Sequence, residues 1–189
     1  MSGNGAASMR EGDRRVQKTR AALRAAFGDL LLTRPYADFG PAEIAERADV
    51  GRSTFYEHFQ GKDDLLVQST LPILEPLAAS CGGPDLGVER RLVALLDHTW
   101  ENRRFVRPML AERPQALLVR ALAERIAAVL AARPGGADTG RAALAGGAVA
   151  AAQLALLGDF LSGRTGAPAS ELARRLQVMS RAAASALVD

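Results

Sequence analysis

The sequence predicts an all-α protein of about nine helices. Three observations carry that expectation. Hydrophobic residues fill 48% of the 189 positions but aromatic residues only 5%, so the core must be built largely from Ala and Leu, both strong helix formers. Valine and isoleucine are sparse, and no stretch alternates apolar and polar residues at the period of a strand. Apolar residues instead recur at helical spacing in successive blocks, separated by Gly- and Pro-containing breaks.

Residues 1–11, rich in Gly, Ser, Asn and Ala, read as a disordered tail. A long helix is expected from about Asp13 to Leu32, with Val16, Leu23, Phe27, Leu30 and Leu31 at helical spacing. Thr33-Arg34-Pro35 ends it, because the residue before a proline avoids the helical region. Gly40-Pro41 opens a short helix; proline suits the first helical position, whose N–H has no partner in any case. Ile44, Ala45 and Ala48 share one face of it. Asp49-Val50-Gly51 is a break, with Asp49 able to adopt the left-handed conformation and Val50 placed to plug inward. A further helix from Arg52 to Phe59 buries Phe55 and Phe59, at i and i+4. That leaves Arg52, Ser53, Thr54, Tyr56 and Glu57 on or near its outer face. A short helix presenting an arginine, two hydroxyls and a phenol suits a major groove.

Gln60-Gly61 turns the chain into a helix from Lys62 to about Ser80. Asp63 and Asp64 in its first turn suit the helix dipole, whereas Lys62 opposes it unless an anion is near; a DNA phosphate supplies one. Pro72 and Pro76 inside this helix predict a kink or an early end. Cys81-Gly82-Gly83-Pro84-Asp85 is the clearest domain boundary. Helical blocks follow at Leu86 to about Arg104, Phe105 to Glu112, Arg113 to Ala132, Gly140 to Ser162, and Ser170 to Leu187, with Ser170 as the cap of the last. A loop is expected over 133–138. The division is thus a tail over 1–11, a helix-turn-helix domain over 12–61 with its motif at 40–59, a connecting helix over 62–81, and a C-terminal domain over 82–189.

The residues Tyr36, Ile44, Ala45, Ala48, Val50, Thr54, Tyr56, His58, Phe59, Lys62 and Leu65, in this order and spacing, resemble the DNA-binding end of the TetR family of transcriptional regulators. Two positions depart from the family pattern: Asp49 stands where the turn glycine is usual, and Gly51 where a Ser or Thr cap is usual. The resemblance implies a homodimer formed through the last two helices, reading a palindromic operator in double-stranded DNA. It implies a small-molecule effector, largely apolar, enclosed among the middle helices. It makes Tyr36 a core residue and the helix from Lys62 the connection between the two functions. The expected mechanism is release of a repressor from its operator, with an activator or a ligand-independent regulator as alternatives. Arg52, Ser53 and Thr54 are expected on bases or nearby phosphates, and Tyr56 and Lys62 on the backbone. Arg14, Arg15 and Lys18, in a basic run just before the motif, are further phosphate candidates. Trp100, Arg103, Arg104, Met109, Gln153 and Asp159 are the candidate effector contacts, since pockets combine apolar walls with a few polar groups.

Net charge is +3, too mild to indicate nucleic acid by itself; the placement of the cations carries the argument. The single cysteine, Cys81, excludes an intrachain disulfide framework and fits a reducing cytoplasm. The longest apolar run, Ala142 to Gly158, falls short of a membrane span, and the start of the chain lacks an apolar leader. An enzyme is the remaining alternative, but no catalytic set converges: Cys81 has no His near it in sequence, and no phosphate-binding glycine loop is present. Asp97, His98 and Glu101 offer too few ligands for a closed metal site, so neither metal nor cofactor is expected.

Overall fold

The computed structural model describes residues 4–83, 85–133 and 137–188. Met1–Gly3, Pro84, Pro134–Gly136 and Asp189 lie outside the described residues, which removes the start of the expected tail and the middle of the expected 133–138 loop from comparison. Among the described residues there are nine α-helices, one short 3-10 turn at Tyr36–Asp38, and no strand. The chain divides into two compact units, Met1–Leu66 and Val67–Asp189.

The first unit holds α1 (Asn4–Thr33), α2 (Pro41–Arg47) and α3 (Arg52–His58), together with the start of α4 (Lys62–Ala79). Helix α1 begins nine residues before the Asp13 start expected from sequence, within the segment read as disordered. Ala6, Ala7, Met9, Arg10 and Glu11 are good helix formers, and their propensity carries the helix through Gly12. From Asp13 onward the first buried residue of α1 is Leu23; Val16 is 41% exposed and does not join the core as its spacing suggested. From there Leu23, Phe27, Leu30 and Leu31 close over Ile44, Ala45, Phe55, Phe59 and Leu65. Three rings, Phe27, Tyr36 and Phe39, meet edge to face with centroids 6.0–6.3 Å apart. The Tyr36 hydroxyl donates to Asp63 Oδ1 at 2.5 Å.

The second unit is built on a helical pair. Helices α7 (Glu112–Ala131) and α8 (Thr139–Leu161) pack along their length, and α9 (Ala169–Val188) packs on both α8 and α5 (Leu86–Glu101). Gly146 explains how closely α7 and α8 approach: a Cβ there would lie 2.5 Å from the Ala123 carbonyl oxygen. The short α6 (Arg103–Met109) joins α5 to α7. Its start at Arg103 takes two residues the sequence reading left in α5, because Asn102 interrupts the helix: its N–H bonds back to His98 while its carbonyl already accepts from Phe105 and Val106. Asp85 and Asp138 cap α5 and α8 through their carboxylates. Ser170 is not a cap; α9 starts one residue earlier, and Leu172 N–H bonds to the Pro168 carbonyl.

Helix α4 passes both Pro72 and Pro76 without interruption, rather than ending early. Each proline removes one amide donor, but Leu74 and Leu77 between and beyond them are fully buried and hold the helix in place. Helix α8 corrects another expectation. At 23 residues it is long and apolar enough, by length and composition, to cross a membrane. Half of its apolar window is buried inside the unit, against α7 and α9, so the composition serves internal packing.

Candidate nucleic-acid interface and effector clefts

Helix α3 is seven residues long and buries one edge. Phe55 and Phe59 are 0% and 2% exposed, whereas Arg52, Ser53, Tyr56 and Glu57 face solvent and Thr54 is half-buried. Tyr56, at 47% exposure, is a large ring left uncovered, and the Arg52 guanidinium lies 5.8 Å from its centroid. The two form an outward platform that combines a cation, a π-face and a phenol. Gly51 starts the helix in extended conformation, its carbonyl accepting from Phe55 N–H, with no side-chain cap.

The turn before α3 is made at a cost. Asp49 has φ of +54°, the left-handed region that L-residues enter reluctantly. Asp49 N–H bonds to the Glu46 carbonyl and Val50 N–H to the Ala45 carbonyl, which closes the end of α2. Val50 is half-buried rather than a plug, because this closure draws the backbone back over α2 and leaves the side chain at the rim. At the other end of α2, Glu43 accepts from the Gly40 N–H at 3.0 Å and from Arg34. Those two bonds hold its carboxyl below the usual range, the Arg34 contribution being the larger. On α1, Arg14, Arg15 and Lys18 are all exposed.

Lys62, expected from sequence to meet a DNA phosphate, is half-buried and has partners within its own unit. Its ammonium donates to the Phe39 carbonyl at 2.7 Å and to the Tyr36 carbonyl. It also lies 4.1 Å from the Tyr36 ring centroid and 4.9 Å from that of Phe39. Two carbonyl dipoles and two π-faces therefore stabilise the ammonium within the unit, and the Glu43 carboxylate interacts with it as well. No local signal marks this: the partners lie 26 and 23 residues away in sequence.

The effector candidates do not converge on one pocket. Trp100 is 39% exposed and tilted against Phe160, with ring centroids 5.3 Å apart. The Arg103 guanidinium sits 4.8 Å from the Trp100 ring. Trp100, Phe160 and Asp97 line a cleft of about 320 Å³ that the turn before α9 closes. Asp159 lines a different cleft of about 400 Å³, with Arg107, Leu110, Gln115 and Arg164, and there it accepts from Arg164. Arg104 lies over the Phe105 ring, and Met109 is half-buried at the end of α6; neither lines these two clefts.

Gln153 faces none of them. It is fully buried, and its Nε2 lies 3.0 Å from the Leu77 carbonyl, 2.9 Å from Ser80 Oγ, 2.8 Å from Ser180 Oγ and 3.8 Å from Cys81 Sγ. It ties the end of α4 to α9 through α8. Its Oε1 has no hydrogen-bond partner. Burial pushes the neighbouring Cys81 thiol up to about 11. Among the described residues no cluster of His, Cys, Asp or Glu could hold a metal ion.

Comparison with known proteins matches the interface first. Residues 22–68 match the model of the bacterial regulatory proteins of the tetR family. An uncharacterised HTH-type transcriptional regulator of Bacillus subtilis, YxbF, is 42% identical over 55 residues, which are 29% of this chain and 14% of that protein. The chain therefore spans only a small part of that relative's length. Two solved structures share the fold. A TetR-family regulator from Streptomyces coelicolor superposes with a TM-score of 0.59 at 22% identity, over 89% of this chain and 96% of its own. FadR of Thermus thermophilus, a TetR-family repressor solved with lauroyl-CoA, gives 0.50 at 18% identity, over 85% and 92%. The matched segment contains α2, α3 and the aromatic cluster that braces them, so the likeness to the tetR family lies in the helix-turn-helix region and the likeness to the solved structures in the all-helical fold.

Proposed function

We propose that this protein is a sequence-specific DNA-binding transcriptional regulator, a repressor that a small-molecule effector releases from its operator. The observation that carries this reading is α3: a helix anchored by Phe55 and Phe59 that leaves Arg52, Ser53 and Tyr56 uncovered on its other side. Arg52 and Ser53, with Thr54, address base edges or the adjacent phosphates, and Tyr56 contacts the backbone. Arg14, Arg15 and Lys18 add phosphate contacts from α1. Lys62 acts indirectly, holding the loop between α1 and α2 through the Tyr36 and Phe39 carbonyls.

Reading a palindrome requires two copies. The supporting feature is a stripe of exposed apolar residues on the last two helices. Leu144, Ala148, Ala151 and Ala155 are exposed at helical spacing on α8, and Val178 and Ala182 on α9. Leu144 and Val178 are 63% and 61% exposed, which a soluble surface does not favour and a second copy would cover. The first unit is thus assigned to DNA and the second to effector and partner, in a cytoplasmic protein without catalytic activity. A structural neighbour that holds lauroyl-CoA supports the reading that this fold accommodates an effector with a long apolar chain. The clefts beside Trp100 and Asp159 are the sites proposed for one here. The effector must bind the released state more tightly, since equal affinity for both states shifts nothing.

The test is selection of bound duplexes from a random double-stranded DNA pool, followed by footprinting. Enrichment of an inverted repeat with half-sites about one turn apart, roughly 34–36 Å, supports the reading. Recovery of no sequence above background at low salt overturns it.

A further inference from the structure

The cleft of about 320 Å³ beside Trp100 is set apart by its charge. Asp97 is the one ionised group that lines it, and no lysine or arginine does. The cleft at Asp159, by contrast, carries Arg107 and Arg164. Asp97 is exposed, and among the described residues its carboxylate has no ion pair. Two aromatic rings line the cleft with it: Trp100, 39% exposed, and Phe160, whose plane is tilted 47° to the indole. Trp100 lies in the last turn of α5 and Phe160 in that of α8, so two helices bring their negative dipole ends here. The opposing end is that of α9, which begins at Ala169 and has Glu171 in its first turn to offset it. Gly163 and Gly166, at φ of +74° and +59°, turn the chain back along the cleft without adding side chains.

The indole already attracts a cation from outside the cleft. Arg103 donates to the Trp100 carbonyl at 3.0 Å, and its guanidinium lies 4.8 Å from the ring centroid. A carboxylate entering beside Asp97 would meet a like charge. A neutral ligand would strip water from that carboxylate and return nothing to it. A cation alone is matched by both the carboxylate and the rings.

We propose that this cleft binds a small organic cation, a quaternary or protonated amine that carries an aryl or short alkyl group. The ammonium sits against Asp97 and the Trp100 ring, and Phe160, Ala167 and Pro168 take the apolar part. This rests on the reading of the cleft as an effector site and adds the charge of the effector. None of the lining residues belongs to the exposed stripe on α8 and α9 assigned to the second copy, so ligand and partner do not compete for the same side chains.

Benzyltrimethylammonium is the probe, with benzyl alcohol and benzenesulfonate as the uncharged and anionic controls. Trp100 is the only tryptophan in the chain, so its emission reads this cleft directly. The titration uses the full chain without DNA, so its failure and failure of the DNA reading are separate results. The expected result is a saturable change in emission, with the cation bound at least roughly ten-fold more tightly than either control. D97N should weaken the cation by roughly ten-fold. E89Q, which removes a carboxylate two turns earlier on α5, should leave it unchanged. R103A should strengthen it by about two- to three-fold, because a like charge leaves the ring. An anion or a purely apolar ligand predicts no such gain. Absence of saturable binding, a control bound as tightly as the cation, an unchanged affinity in D97N, or an unchanged or weaker affinity in R103A overturns the site. Cation that binds and leaves operator affinity unchanged supports the site and counts against effector-controlled release alone.

Discussion

Lys62 Nζ donates to the Phe39 carbonyl oxygen at 2.7 Å, across 23 residues of sequence. With the Tyr36 carbonyl and ring, this bond ties the first residue of α4 to the loop between α1 and α2. Lys62→Met keeps the aliphatic stem and removes the charge. It should lower the stability of the first unit by about 1.5–3 kcal/mol, the range for hydrogen bonds from a charged donor. The dependence of DNA affinity on salt should stay the same. A direct phosphate contact predicts instead a salt slope smaller by about one, so titrations at several salt concentrations decide between the two roles.

Arg52 and Tyr56 form one exposed platform, so their substitutions should differ in kind. Arg52→Ala should cost roughly 1–3 kcal/mol at particular base pairs and little elsewhere. Tyr56→Phe removes only the hydroxyl and keeps the ring under Arg52. It should weaken all sequences alike. Competition binding with single-base operator variants checks both; a uniform loss for Arg52→Ala assigns that residue to the backbone.

Neighbouring glycines on α8 should respond in opposite directions. Gly146→Ala places a methyl group against the Ala123 carbonyl and should destabilise the second unit by about 1–3 kcal/mol. Gly147 has open space around its Cβ position, so Gly147→Ala should gain up to about 1 kcal/mol of helix propensity. Urea unfolding of both variants, at a concentration where the chain is monomeric, measures the contrast.

Ala151 lies on the exposed apolar stripe of α8 and contributes nothing to its own unit's core. Ala151→Glu should leave helix content and melting of the single chain unchanged. Sedimentation at micromolar concentration should shift from dimer to monomer. A dimer that survives the substitution would place the interface elsewhere.

The Cys81 thiol holds its proton more tightly in the folded chain, with a pKa of about 11 against an ordinary 9.0. Its contribution is therefore complete below pH 9 and is lost as pH rises towards 11. The stability difference between the native chain and Cys81→Ala should shrink by on the order of 2 kcal/mol across that interval. Unfolding titrations at pH 8 and pH 10.5 read it directly.

The parts of this molecule legible in the sequence were those governed by local rules. Pro41 at a helix start, Gly51 before α3, and Phe55 with Phe59 one turn apart set α2 and α3 to within a residue or two. The parts that were not legible depend on partners distant in the chain. Lys62 was read by its position at a helix end, where only local electrostatics could be weighed, and its actual partners are loop carbonyls. Gln153 looked like a polar group in search of a ligand because its neighbours Ser80 and Ser180 are 73 and 27 residues away. Asp85 and Asp138 were legible in principle, as carboxylates directly before helices, and were passed over for Ser170. Trp100 and Asp159 were grouped by chemical type alone, and the fold places them in two different clefts.

Pro72 and Pro76 lie one turn apart on the same side of α4. Each withholds the amide that would have bonded four residues back, so the missing bonds fall in a line along one edge of the helix. A rod weakened along one edge has a preferred plane of flexure and resists bending in the others. The loss of those two bonds makes α4 easier to bend towards that edge than in other directions.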